Sequence, residues 1–316
     1  MYRMRWRILG FATIEGGLIL AVKASVPMKS DSPSKKVWRR FRRNRLALAG
    51  LVLLVIFVFT ALFAPLLTPY EPNRGDLRSR NQAPSRDHLF GTDDMGRDIL
   101  ARTLYGGRIS LSVGLVSVGI SLTIGTLFGA LSGYFGGFVD TLIMRLADVF
   151  YSFPFLILAI TATAVLGPSI YNIMIILGLL SWPGSARLLR AEFLKLKSVD
   201  FVASATAIGA SPAGVMFRHI LPNAFSPLLV SATLGVAAAI LSEAGLSFLG
   251  LGVPPPAPSW GNMLNRARPL HILANMPWMW VAPGTAIFLV VLSINFVGDG
   301  LRDAFDPRQD LSGKRK

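Results

Sequence analysis

Apolar residues gather along this chain into windows of roughly twenty, the length that crosses the hydrocarbon core of a bilayer. They lie near Leu46–Leu67, Ser110–Leu131, Ala147–Leu166, Ile170–Leu188, Ala224–Leu249 and Trp280–Val297. Backbone polar groups in lipid must be bonded within their own segment, so each window is read as a helix. The pattern predicts an all-α polytopic membrane protein with six transmembrane helices. A shorter apolar stretch, Ile8–Val22, is interrupted by Glu15 and falls below spanning length. Residues 1–27 are read as an upstream extension ahead of Met28 or as an interfacial segment, although a basic start before an apolar core also resembles a signal peptide.

The most informative polar interruption is Asp200–Asn223, reading DFVASATAIGASPAGVMFRHILPN. Val202, Ala205 and Ile208 recur at helical spacing. Gly209 fits the left-handed position that ends such a helix. Ser211 supplies an N-cap oxygen and Pro212 fits the first position of a second helix. Leu221-Pro222 is expected to close that helix, because proline cannot continue the backbone ladder. The spacing predicts a compact helical elbow on the wet side of the membrane, a docking element with Val215, Met216 and Ile220 on one apolar edge.

Composition agrees with a bilayer. Charged residues make up 16% of the 316-residue chain and mean hydropathy is +0.53, whereas soluble domains carry about a quarter charged residues. Cysteine is absent, which excludes disulfides, thiolate catalysis and cysteine-held metals. His88, His219 and His271 are scattered far apart, a poor basis for a metal site.

A net charge of +15 raises the question of nucleic acid. Placement argues against it: Lys35, Lys36, Arg39, Arg40, Arg42, Arg43 and Arg45 directly precede the first apolar window. A basic cluster flanking a span is a cytoplasmic anchor held by anionic lipid. Parity then returns the carboxyl terminus to the cytoplasmic side. Against the rule, the outer segment Thr68–Arg108 carries Arg74, Arg78, Arg80, Arg86, Arg97, Arg102 and Arg108, a tension that loop length relieves.

Within the spans, Gly125, Gly129 and Gly133 form a doubled small-xxx-small row that admits a close helix, either of this chain or of a partner. Glu243 lies inside the fifth span, where an ionisable group normally faces protein or water. It is read as a hydrogen-bonded structural residue, with proton relay as the sharper alternative. Arg145 and Asp148 are placed to pair on one helix face. The carboxylates of GTDDMGRD, residues 91–98, do not match the calcium-loop spacing. A Walker GxxxxGK[ST], a GxSxG elbow and an HExxH are all missing from the sequence. The chain therefore reads as a membrane component without its own catalytic centre or cofactor.

Four segments carry a family resemblance: HLFGTDDMGRDILARTLYGGRISLSVG (88–114), RHILPN (218–223), LSFLGLGVPPPAPSWGNML (246–264) and NFVGDGLRDAFDPR (295–308). Together they resemble the dipeptide/oligopeptide/nickel branch of ABC-importer permeases, in particular the C-type subunit. The likeness runs from Trp38 to about Arg308. It implies a type I ABC importer permease (MetI-like) fold with a cytoplasmic coupling helix. It implies as partners a sister permease subunit, two ATP-binding subunits carrying the ATP and magnesium, an extracytoplasmic solute-binding protein and membrane lipid. The implied organisation is a basic segment 1–45, a permease domain 46–302 with extracytoplasmic loop 68–108 and coupling loop 189–223, and a tail 303–316. In a prokaryotic cell membrane such a subunit moves di- or oligopeptides, or a related solute such as a nickel chelate, by alternating access. The alternative class is a secondary transporter or channel that works without an ATPase.

By the same resemblance the elbow matches the family's EAA loop, which seats a coupling helix in a groove of the ATP-binding subunit. Asp200 falls in the approach, Ala203-Ser204-Ala205 at the Glu-Ala-Ala triplet, Gly209 at the glycine and Leu221-Pro222 at the closing pair. Ser211, Pro212 and His219 fall within the same loop. Ala203 departs from the family's usual glutamate, and Glu192 and Asp200 are the acidic residues nearby in sequence.

Overall fold

The structure is a computed structural model that describes residues 12–14, 17–19 and 33–306. The stretch Ile8–Val22 therefore lies largely outside the described residues. The parts of it that are described, Ala12–Ile14 and Gly17–Ile19, form a short antiparallel pair.

Among the described residues, thirteen α-helical segments follow. Helix α1 (Pro33–Phe41) lies at one end of the molecule and leads into α2 (Arg45–Leu62), whose first turn is capped by Asn44 accepting from the Ala47 N–H at 3.2 Å. A single turn, α3 (Ala64–Leu67), ends the first apolar window. Helix α4 (Ile99–Phe135) is 37 residues long, about 55 Å. It begins eleven residues ahead of the apolar window because the Asp98 carboxylate caps it, accepting from the Ala101 N–H at 2.7 Å.

The third expected span is corrected. Instead of one helix over Ala147–Leu166, there are two, α5 (Gly137–Tyr151) and α6 (Phe155–Leu166), bent by 85°. Pro154 lacks the N–H the ladder needs and restricts Phe153 before it, so the helix breaks there. Alone, the 12 residues of α6 reach about 18 Å, well short of a bilayer core. Among the described residues, five long apolar helices therefore qualify as spans, or six if the bent pair counts as one.

Helix α7 (Ile170–Lys197) continues past its apolar window to the elbow, α8 (Asp200–Ala207). The next segment also departs from expectation. The turn α9 (Pro212–Gly214), a π-type stretch Val215–Ile220 and α10 (Leu221–Phe248) form one continuous helical run. Leu221-Pro222 does not close anything. The Leu221 N–H reaches back five residues to the Met216 carbonyl, and this wide turn accommodates a proline that cannot donate. Helices α11 (Trp260–Arg266), α12 (Leu270–Asn275) and α13 (Trp278–Phe305) complete the chain.

Helices α4 and α7 run parallel, and the glycine row explains why they pack so closely. A Cβ at Gly125 would stand 2.4 Å from that of Ser185, one at Gly129 2.6 Å from the Ala186 carbonyl, and one at Gly133 2.5 Å from the Phe193 Cβ. The partner face for this row lies within this chain. Helix α10 crosses α4 in the opposite sense, with Gly114 against Ile240, and α2 meets α13 at Gly50 and Ser293. Leu111, Ile240, Trp260, Val290 and Ile294 form the buried centre between these helices. The ends of α4, α7 and α13, the start of α10, and α1 all gather at the elbow end; α1 packs there through Val37 and Phe41 on Leu301 and Ala304.

At the opposite end, the arginine-rich segment is knitted to the body. Asp93 accepts from the Arg97 Nε at 2.8 Å, Arg102 donates to the Pro72 carbonyl at 2.7 Å, and Arg266 reaches Asp94 at 3.3 Å. Arg80 and Arg108 bond backbone carbonyls. Asp93 and Asp94 thus offset part of the basic excess while carbonyls bind further guanidinium N–H groups, and the GTDDMGRD carboxylates are engaged by arginines, His88 and backbone N–H groups.

Candidate functional site

The elbow is built as a rigid corner. At the end of α8, the Ala210 N–H bonds the Ala205 carbonyl at 3.1 Å and the Gly209 N–H bonds the Thr206 carbonyl at 3.0 Å. This six-to-one and five-to-two pair is a Schellman motif, which requires a left-handed residue. Gly209 supplies it with φ +85°, and no atom stands within 4 Å of where its Cβ would be. The demand for glycine is therefore conformational, not steric. Two residues on, Ser211 Oγ accepts from the Gly214 N–H at 3.2 Å and Pro212 opens the next turn.

One face of the corner is welded to the body. Val202, Val215, Met216 and Ile220 are buried with Ala130 of α4, Leu189 and Phe193 of α7, and Ala224 and Leu228 of α10. Ala205 is buried beside them. Any displacement of the elbow is thereby shared by three long helices.

The other face is open. Ala203, Ser204, Pro212 and Ala213 are exposed, and Ile208 is 86% exposed. Phe201 and Phe217 also show apolar surface. Ala203 borders a shallow groove with Tyr134, Lys197 and Thr206. Lys197 is held there, donating to the Tyr134 carbonyl at 2.6 Å and lying 5.3 Å from its ring centre. Asp200 sits in the first turn of α8, where the positive end of the helix dipole favours it. Glu192 pairs instead with Lys195 at 3.5 Å on α7. His219 lies half-buried in the π-type stretch, its carbonyl accepting from Asn223 Nδ2 at 2.7 Å. Leu221 and Pro222 stand at the start of α10, so the structure joins all the expected elbow residues but makes the last two part of a span.

Sequence reading missed the ion pair that ties α5 to this end. Arg190 grips Asp140 with two bonds at 2.5 Å, and Ser132 also donates to that carboxylate. Fifty positions separate the partners, so spacing gave no signal. Replacing Arg190 by Ala is expected to lower stability by about 1–2 kcal/mol, the worth of a charged hydrogen bond near a wet surface. Thermal melting of the solubilised protein would read this as a lower midpoint. The Arg145–Asp148 pair is present at 3.7 Å, but Asp148 is held more closely by Arg187 of α7 at 2.6 Å.

Glu243 is completely buried. Ser247 donates to it at 2.6 Å and Ser110 of α4 at 3.1 Å, while Ser110 in turn accepts from the Trp260 N–H at 3.3 Å. The carboxyl group is the centre of a hydroxyl network that fixes the far end of α10 to α4 and α11. This supports its structural reading.

Long apolar helices, a bent pair and a helical corner packed against three of the long helices define a multi-pass membrane protein. The model of the binding-protein-dependent transport system inner membrane component matches residues 125–311, and that of the N-terminal TM domain of oligopeptide transport permease C matches 32–84. The chain belongs to this family of ABC transporter permeases. A Brucella suis protein provisionally named a peptide permease is 48% identical over 301 residues, covering 95% of this chain and 99% of its own. The dipeptide transport system permease of Alkalihalophilus pseudofirmus is 43% identical, covering 88% and 90%. The glutathione transport system permease of Escherichia coli is 45% identical, covering 89% and 93%. Among solved structures, the inward-facing methionine ABC transporter MetNI superposes with TM-score 0.52 at 22% identity, over 66% of this chain and 97% of that one. This last likeness establishes the shared fold.

Proposed function

We propose that the chain is the C-type permease of a peptide importer, working by alternating access and driven by ATP hydrolysed on two separate subunits. The single observation that carries this reading is the corner itself: an open face of small and apolar residues on one side, a buried anchor to α4, α7 and α10 on the other. A nucleotide-binding subunit seated on the open face would shift all three helices together, which is how a partner biases a two-state membrane body. ATP and magnesium belong to that subunit. A sister permease supplies the other half of the pathway and a solute-binding protein delivers the load at the opposite end. The basic residues before α2 support a cytoplasmic position for the elbow end and both termini.

The relatives' names point to dipeptides and glutathione as the solute class. Ala203 leaves the usual acidic contact of the triplet unfilled, so Ser204, Phe201 and the backbone of α8 provide the docking surface.

Because the native chain has no cysteine, the docking is directly testable. An Ala203→Cys variant, assembled with its ATP-binding subunits, is expected to cross-link to a cysteine in their surface groove. A Leu142→Cys variant, whose side chain faces outward from α5, is not. Efficient gradient-driven flux by the chain alone, with no nucleotide-binding subunit present, would overturn the reading.

A further inference from the structure

A cleft of about 330 Å³ opens between α4, α6, α7 and α10. Six serines face it: Ser117 and Ser121 from α4, Ser181 and Ser185 from α7, Ser231 and Ser242 from α10. The remaining wall is aliphatic, glycine or aromatic, and it contains no charged side chain. The volume falls at the small end of ligand pockets, about 300–1,000 Å³.

These hydroxyls are only partly used. Ser117 donates to the Met174 carbonyl at 3.1 Å, Ser181 to Leu177 at 2.7 Å and Ser242 to Ala238 at 2.8 Å. Ser121 and Ser185 share one bond at 3.3 Å. A donating hydroxyl keeps its acceptor lone pairs. The Ser231 hydroxyl makes no hydrogen bond among the described residues, so its donor and its acceptors are open to a ligand.

Ser231 has a second neighbourhood. It also borders a wider groove, of about 740 Å³, that opens at the elbow end between α7, α10 and α13. Glu192, Lys195, Asn223 and Arg302 line that groove. An uncharged, hydroxyl-rich cleft thus adjoins a groove carrying both signs of charge, and Ser231 lines both.

Hydroxyls both donate and accept, as a peptide amide does, whereas a bare ion in an uncharged cleft would lose hydration without compensation. We propose that this cleft is a solute station that holds the backbone amides of a short peptide, with Ser231 passing the peptide to the charged groove. The assignment rests on the peptide-importer reading above and adds the residues that contact the load. It also states a chemical preference: neutral amide bonds inside, charged ends at the mouth.

The test uses the full chain assembled with its partner subunits in vesicles, with ATP and solute-binding protein, and labelled alanyl-alanine, trialanine and glutathione as probes. Threonine and valine have the same shape and differ by the hydroxyl, so Ser231→Val and Ser231→Thr separate hydrogen bonding from packing. Ser231→Val is expected to lose about three- to tenfold in uptake, the worth of one hydrogen bond, at unchanged yield. Ser231→Thr is expected to retain uptake. In a Ser231→Cys variant, a charged thiol reagent should react quickly, and the transported peptide should protect the thiol. Wild-type uptake by Ser231→Val, or a thiol that the transported peptide leaves unprotected, overturns the station. If the wild-type vesicles hydrolyse ATP yet move none of the three probes, the peptide reading itself fails and the station falls with it.

Discussion

Replacing Gly209 with valine is expected to leave the protein in the membrane at normal yield but to reduce ATP-driven uptake about fivefold or more. The φ of +85° at this position lies in the region that a β-branched residue strongly resists. The strain is of order 1–3 kcal/mol, enough to change the population of the correct corner by roughly five- to 150-fold. Relief would come from unwinding the Schellman turn, which would tilt α8 away from α9. Basal ATP hydrolysis by the partner subunits should persist, now disconnected from transport. Open space around the glycine provides the control: Gly209→Asn, which tolerates the left-handed region, should stay close to wild type. Equal loss in the asparagine and valine variants would show that side-chain contact, not backbone shape, governs the position.

The largest stability effect is expected at Gly129. A Cβ there would lie 2.6 Å from the Ala186 carbonyl and 2.9 Å from the Leu189 Cβ, so leucine has nowhere to go unless α4 and α7 separate. Overpacking of this kind costs about 1–3 kcal/mol where side chains can adjust and more where backbone is met. Gly129→Leu should therefore give little folded protein, with the recovered fraction melting well below wild type. Gly119→Leu is the matched control on the same helix, because no atom lies within 4 Å of its Cβ direction. A Gly129→Leu protein with normal yield and melting would mean that the two helices are not as close as described.

These two glycines show what was legible beforehand and what was not. The spacing of Gly125, Gly129 and Gly133 announced a close contact, but spacing along one helix carries no information about which helix supplies the other side. The corner was readable because its signals are local: a left-handed residue, a capping hydroxyl and a proline at the first turn act over a few positions. The break after Tyr151 was missed because apolarity continues through it, and hydropathy is blind to the backbone donor that Pro154 lacks. The reverse error occurred at Pro222, where a proline was read as a stop. A wide turn, visible only as the Leu221-to-Met216 bond, absorbed it. Helix α4 outran its apolar window because Asp98 starts it among polar residues, and the Asp140–Arg190 clamp joins segments too distant for any pattern to relate. The serine-lined cleft belongs to the same category: six ordinary serines acquire meaning only when three helices bring them together.

The run from Pro212 to Phe248 contains no non-helical residue, although it starts at the corner and ends beside the buried Glu243 network. It has the form of a connecting rod about 55 Å long, held by serine hydroxyls at the Glu243 end and packed into the elbow at the other. A rod of this kind pivots and does not stretch. Under the proposed mechanism, a small stroke at its elbow end appears as a swing midway along its length, which is where Ser231 is mounted.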